Sequence, residues 1–412
     1  MMIKPKNLRS LRLAFSRWIV IVNVFLCVGS IYGQTVPVLP KPTGDRRVGT
    51  MIVHLADPSR PDSFDKQHGP REIMLQLWYP ADPQNRGVVA PYVASPLVID
   101  EMIKRQYNFQ QPATIEAIRK LNTVAIADAP IDRSGPRYPV LLLSHGLGEP
   151  RFNYTSLAEE LASHGYIVAT IDHPYGGLTA LPDGRILSTD SDPRGGTDEG
   201  AAELTKEWAQ DAKFVIDSLT ASASDKRGQT HAVAARADLS DVGMLGHSLG
   251  GAAALEACRI DERFKACADL DGQAFGQVTV EGVRKPTLIV RESPLYSDAD
   301  LAKRGRTRET WEQMGREGQK LWARLQPRDP RTPFYMIKIA GTGHMSFSDL
   351  AFTMPDTISR FGGKMIDPNR GFTIIATYVR SFFDQYLKRK PSELLTGPNA
   401  AYPEVSFDRV SP

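Results

Sequence analysis

The residues with the clearest chemical meaning form Gly246-His-Ser-Leu-Gly250, a Gly-x-Ser-x-Gly run. A serine hydroxyl becomes a nucleophile when a turn holds it clear of the backbone and a base nearby takes its proton. The apolar segment Val242–Gly246 entering the run reads as a strand. The small residues Gly251-Ala-Ala-Ala leaving it read as the start of a helix. Such a turn is too tight for side chains at its flanks, so the glycines leave Ser248 standing at the strand end. The helix N-terminus beside it favours developing negative charge.

A serine on this kind of turn takes its acid and then its base from later in the chain. Of the eight histidines only His344 follows Ser248, in the loop Gly341-Thr-Gly-His344 behind an apolar segment. The acid stays open on spacing. Asp271 follows the segment Phe264–Leu270, whereas Glu292 and Asp298 follow Thr287–Val290. Asp269, two residues from Asp271 on the same strand side, reads as structural. An oxyanion needs two backbone N–H donors, one just after the nucleophile and one from a loop after an earlier strand. Leu249 and Leu147, the latter in Ser144-His-Gly-Leu-Gly148, fit those places. His145 and His247 adjoin the donors and read as packing or orienting groups. There is no His-x-x-x-His pair, HExxH helix, phosphate loop or dinucleotide fingerprint, so neither metal nor cofactor is expected.

The elements that must position these residues alternate. Tyr138–Ser144 is a continuous apolar run, as in a strand buried on both faces. A helix over 155–164, a strand over 166–171, a helix through Leu204, Trp208, Val215 and Leu219, and the Ser248 turn follow in order. Strands at 264–270, 287–290 and 334–340 and a final helix through Ile374, Tyr378, Phe382 and Tyr386 complete the series. Repeated strand–helix units predict an α/β fold: a mostly parallel sheet with helices on both faces. Two strands, 48–55 and 72–79, predict an antiparallel N-terminal edge. One domain over 48–390 is expected, with insertions near 81–135, 174–235 and 291–333, a linker at 34–47 and a tail at 391–412. A helical patch is expected around 102–121 and a hairpin at Pro182-Asp-Gly184.

Composition sets the outer bounds. The chain has 412 residues, 42% hydrophobic and 24% charged, as expected of a globular protein with a sizeable core. Net charge is +3, and Lys4, Lys6, Arg9, Arg12 and Arg17 all fall in the first 33 residues. The remaining body is near neutral and offers no footprint for nucleic acid. The basic start, the apolar run from Trp18 and the small residues Gly29, Ser30 and Gly33 read as a secretory signal cleaved near Gly33. An uncleaved anchor is the alternative, although the run falls short of the ~20 residues of a spanning helix. Cys258 and Cys267 then remain, able to pair if their Cα atoms lie within about 7 Å and otherwise two buried thiols.

Five motifs agree in order with one known family. Ser144-His-Gly-Leu-Gly148, Leu161-Ala-Ser-His-Gly-Tyr-Ile-Val-Ala169, Gly246-His-Ser-Leu-Gly-Gly251, Asp261-Glu-Arg-Phe-Lys-Ala-Cys-Ala-Asp-Leu-Asp271 and Gly343-His-Met-Ser-Phe-Ser-Asp-Leu350 resemble the secreted, calcium-independent platelet-activating-factor acetylhydrolases. The resemblance covers roughly residues 45–390. It implies an α/β-hydrolase fold, with Ser248 as nucleophile, Asp271 as acid, His344 as base, and the Leu147 and Leu249 amides as oxyanion donors. It implies short or oxidised acyl chains on phospholipids as substrates, with a broader esterase, lactonase or polyesterase as the alternative; a non-catalytic binding protein is a remote one. Animal members often carry Phe where Leu249 stands. The leader and compact length look bacterial. Trp311, Met314 and Trp322 in the insertion at 291–333 read either as a lid touching a lipid surface or, by preference, as packing onto the body. Oligomeric state is not legible.

Overall fold

The computed structural model describes residues 37–62, 64, 69–105, 107, 110, 112–225, 228–355 and 364–408. The expected signal segment lies outside these residues. Strands β1 (Val48–Pro61) and β2 (Pro70–Pro80) form an antiparallel pair. Next come β3 (Val89–Pro91), helices α1 (Pro96–Arg105) and α2 (Pro112–Arg119), and β4 (Asn122–Ala127). The alternating part runs β5 (Tyr138–Ser144), α3 (Thr155–Ser163), β6 (Ile167–Asp172), the small hairpin β7 (Thr179–Ala180) and β8 (Ile186–Leu187), α4 (Asp198–Ser224) and α5 (Gly228–Ala234). It continues with β9 (Ala237–His247), α6 (Leu249–Ile260), β10 (Phe264–Leu270), α7 (Val278–Glu281) and β11 (Thr287–Ser293). After α8 (Asp298–Lys303) and α9 (Arg308–Ala323) follow β12 (Phe334–Ala340), α10 (Leu350–Thr353), α11 (Pro368–Leu387) and β13 (Val405–Phe407).

The described residues form one large sheet in the order β13-β12-β11-β10-β9-β5-β6-β2-β1-β4-β3. From β12 to β6 every neighbouring pair is parallel. The antiparallel N-terminal pair is present, with β4 and β3 beyond it. Side chains alternate across the sheet because strand geometry has a period of two. Val140 and Leu142 of β5 join Val215 of α4 and Leu255 of α6 in one core layer. Leu141 and Leu143 join Leu161 of α3 and Phe382 of α11 in the other. Every residue of β5 and β6 is buried, which explains the continuous apolar run of β5.

Differences from the sequence reading are local. The helical patch expected around 102–121 is two helices, because Pro112 lacks an N–H and opens a new first turn. Residues 405–407, within the expected tail, pair antiparallel with β12. β3, β4 and β13 escaped the reading because short strands give too few positions for a periodic signal. Trp322 is buried in the sheet core, its ring 4.2 Å from the Arg291 guanidinium carbon, and Trp311 meets Tyr296 edge to face. The insertion therefore packs onto the body through Trp322. Cys258 on α6 and Cys267 on β10 form a disulfide, with Cα atoms 6.5 Å apart.

Candidate active site

β9 ends at His247, and Ser248 turns into α6 with φ 55° and ψ −125°, a conformation that non-glycine residues rarely adopt. Packing over-determines it. A Cβ at Gly246 would stand 2.2 Å from the Gly250 carbonyl oxygen, and one at Gly250 would stand 2.4 Å from that of His145. Both glycines are required for space, as the motif predicted. The Ser248 amide donates to the Leu270 carbonyl at 3.0 Å, which ties the turn to the neighbouring strand.

That strand delivers the candidate acid. Asp271 follows β10 with φ 53°, and its amide donates to the Val290 carbonyl at 2.7 Å. The loop after β12 brings His344 across the sheet end. His344 Nε2 lies 3.0 Å from Ser248 Oγ and Nδ1 lies 2.7 Å from Asp271 Oδ2. A carboxylate only accepts, so Nδ1 carries the proton and Nε2 of the neutral ring faces the hydroxyl. The second Asp271 oxygen accepts from the Glu292 amide at 2.9 Å and from Arg291 Nε at 3.3 Å.

The other acid candidates fall elsewhere. Asp298 begins α8 and pairs with Arg308. Asp269 accepts the Gly272 amide at 2.6 Å, the structural place expected of it. Glu292 lies close by without meeting the imidazole nitrogens. Burial and the Asp271 charge push Glu292 up to about 7. Burial opposes ionisation of Asp271 too, but the His344 bond and charge, with Arg291, hold it below the usual range. At His344 burial favours the neutral ring, yet the Asp271 bond, with the charges of Asp271, Glu292 and Glu149, raises it to about 9.

Leu147 and Leu249 flank Ser248 from two elements. Leu249 is the first residue of α6, so its amide has no intrahelical acceptor one turn back. Among the described residues no acceptor takes the Leu147 amide, whereas Gly148 N–H donates to the Gly176 carbonyl at 2.7 Å. Their side chains share a small apolar cluster with Leu204, Trp208, Ala253 and Phe275. The Leu147 amide is thus left open to donate to a substrate oxygen.

Both orienting histidines are buried. His247 Nε2 donates to the His344 carbonyl at 2.9 Å, and its Nδ1 takes the Tyr154 hydroxyl at 2.7 Å. The same hydroxyl accepts the Gly146 amide at 2.9 Å. Tyr154 therefore joins the Leu147 loop to the His344 loop, and the sequence carried no sign of it. Asp349, next to last in the motif Gly343–Leu350, takes a structural place that the sequence did not signal. It accepts from Tyr92 and from the Ser156 amide, each at 3.2 Å, and its own amide donates to the Asn153 carbonyl at 2.6 Å. No group of three or more His, Cys, Asp or Glu among the described residues could hold a metal ion.

A family model described as platelet-activating factor acetylhydrolase, isoform II, matches residues 35–176 and 227–393. The chain belongs to this family. Within it, the chain is 26% identical over 399 residues to a probable 1-alkyl-2-acetylglycerophosphocholine esterase of Arthroderma benhamiae, covering 90% of this chain and 93% of that protein. It is 24% identical over 405 residues to the platelet-activating factor acetylhydrolase of Cavia porcellus, covering 90% of this chain and 82% of that one. Among solved structures, a ferulic acid esterase from Streptomyces cinnamoneus is similar, with TM-score 0.71, 32% identity, 91% of this chain and 100% of that chain covered. This member of the acetylhydrolase family is an ester hydrolase of the α/β-hydrolase fold. The unmatched stretch between the two family segments holds the β7–β8 hairpin and all of α4.

Proposed function

We propose that this protein cleaves short-chain acyl esters through an acyl-enzyme on Ser248. The observation that carries the reading is the line from Ser248 Oγ through His344 to Asp271, with spacings of 3.0 and 2.7 Å. In the first half, His344 takes the Ser248 proton as the hydroxyl adds to the ester carbonyl. The Leu147 and Leu249 amides hold the tetrahedral oxyanion, and His344 then gives its proton to the departing alcohol. In the second half, water attacks the acyl-enzyme with His344 again as base.

The names of the relatives support sn-2 acetyl phospholipids as the substrate class. The ferulic acid esterase, 32% identical over nearly the whole chain, supports a second reading as an esterase of simple or aromatic esters. Hydrolysis of nitrophenyl esters from acetyl to palmitoyl, beside an sn-2 acetyl phospholipid and a feruloyl ester, separates the two. Activity on the phospholipid and on short acyl groups alone is expected, and activity on the feruloyl ester without the phospholipid would favour the second reading. Ser248→Ala should lower kcat by about 10⁴-fold or more; a folded variant keeping most of its activity would sink both. Export, with cleavage near Gly33, belongs to the same proposal. The Cys258–Cys267 disulfide supports an oxidising compartment, and N-terminal sequencing of the secreted protein tests it.

A further inference from the structure

A second serine–histidine–aspartate line runs wholly inside the protein. Ser144 Oγ lies 2.9 Å from His173 Nε2, and His173 Nδ1 lies 2.8 Å from Asp211 Oδ2. All three residues are buried, so no substrate reaches the Ser144 hydroxyl. Arg71, also buried, grips Asp211 through Nε and Nη2 at 2.8 and 2.7 Å, and Arg60 adds a contact at 2.7 Å. A carboxylate so compensated stays ionised and can only accept. His173 Nδ1 therefore carries the proton, and Nε2 is left to accept from the Ser144 hydroxyl.

The line ends on the loop that carries Leu147. Ser144 closes β5 two residues before Gly146. The His173 amide donates to His145 Nε2 at 3.2 Å, so His145 Nδ1 holds the proton and donates to the Gly146 carbonyl at 2.7 Å. That carbonyl and the Leu147 N–H belong to one planar trans peptide and point in opposite directions. Fixing one fixes the other. Trp208 stacks flat on His173 at 4.3 Å and meets His145 edge-on at 5.0 Å, which confines both rings. Asp211 and Trp208 lie on α4, in the stretch that the family match leaves out.

We propose that Ser144, His173 and Asp211 form a buried positioning relay that holds the Gly146–Leu147 peptide with its amide aimed at the substrate carbonyl. The proposal rests on the reading of Ser248 as nucleophile and Leu147 as oxyanion donor. The relay's effect appears where the oxyanion forms, in kcat, and not in ground-state binding. Outright loss of one oxyanion donor costs about 10²–10³ in kcat, so a loosened one should cost about tenfold.

The test compares Ser144→Ala with Ser144→Thr, which keeps the hydroxyl. Ser144→Ala should lower kcat on nitrophenyl acetate about tenfold with KM within about twofold, and slow fluorophosphonate labelling of Ser248 by the same factor. Ser144→Thr should restore both. A folded Ser144→Ala with unchanged kcat, or one that raises KM alone, overturns the relay. Should Ser144→Ala not fold, the wild-type protein supplies the test through the low-field proton resonance of His173 Nδ1–H. That signal should move when Ser248 is phosphonylated, and a signal that stays fixed overturns the proposal. Ser248→Ala is the control: labelling that persists in it would overturn the active-site reading itself, whereas an inert Ser248→Ala beside an unaffected Ser144→Ala overturns the relay alone.

Discussion

At the scale of single residues, three acidic groups contend for one histidine. Asp271 meets His344 Nδ1 directly, while Glu292 acts on the ring through its charge. Both negative charges, with that of Glu149, stabilise the imidazolium, which is why His344 is raised to about 9. An imidazolium cannot take the Ser248 proton. kcat/KM should therefore rise with pH and level off only above about pH 9, falling about tenfold per unit below that limb. Glu292→Gln removes a charge that favours the imidazolium, so the limb should move to lower pH. A pH–rate profile of the two proteins checks both statements, and an unmoved limb in Glu292→Gln would refute the second.

Elements position these residues through contacts that tolerate little change. The β9–α6 turn presses against the end of β5, where a Cβ at Gly250 would meet the Ser144 and His145 carbonyl oxygens at 2.5 and 2.4 Å. Gly250→Ala should thus displace Ser248 and the Leu147 loop together and lower kcat about 10²-fold or more, measured on the folded fraction. Helix α3 is held to β4 by Glu159, whose Oε1 accepts the Val124 and Ala125 amides at 2.8 and 2.9 Å. Burial pushes this carboxyl up to about 8, above its ordinary 4.5, against the pull of those two bonds. The folded state then keeps a proton that the unfolded chain releases, so Glu159 costs stability as pH rises between those values. Glu159→Gln keeps the acceptor without the charge. Thermal midpoints from pH 4 to 9 should show the wild type losing ground to this variant across that window; parallel curves would contradict the argument.

For the whole molecule, the Cys258–Cys267 disulfide ties the helix that follows Ser248 to the strand that precedes Asp271. Its loop is short, so a double serine variant should lose about 2–3 kcal/mol. Cys267 lies upstream of Asp271 within the buried sheet, so kcat should hardly change below the melting range. Denaturant midpoints and initial rates on the same sample decide this, and a large fall in kcat without a fall in stability would contradict it. The far edge of the sheet is closed by β13, with Ile339 opposite Val405 and the Ala340 amide bonded to the Glu404 carbonyl. Deleting residues 391–412 should expose the β12 edge and promote aggregation, visible by light scattering.

Sequence patterning alone determined the mostly parallel α/β sheet, because buried strands and amphipathic helices announce themselves by period. It also singled out Ser248, through glycines that the turn needs for space, and His344, by its being the one histidine downstream. Family motifs selected Asp271 over Glu292, a choice that spacing left open. Tertiary structure decided the rest: Tyr154 bridging two loops, Asp349 anchoring the His344 loop, Trp322 buried beneath Arg291, the disulfide, and the Ser144–His173–Asp211 line. Each joins residues far apart in the chain or on different elements. Such pairings leave no local signature, since hydrogen-bond partners are set by where strands and helices pack and not by their spacing in sequence.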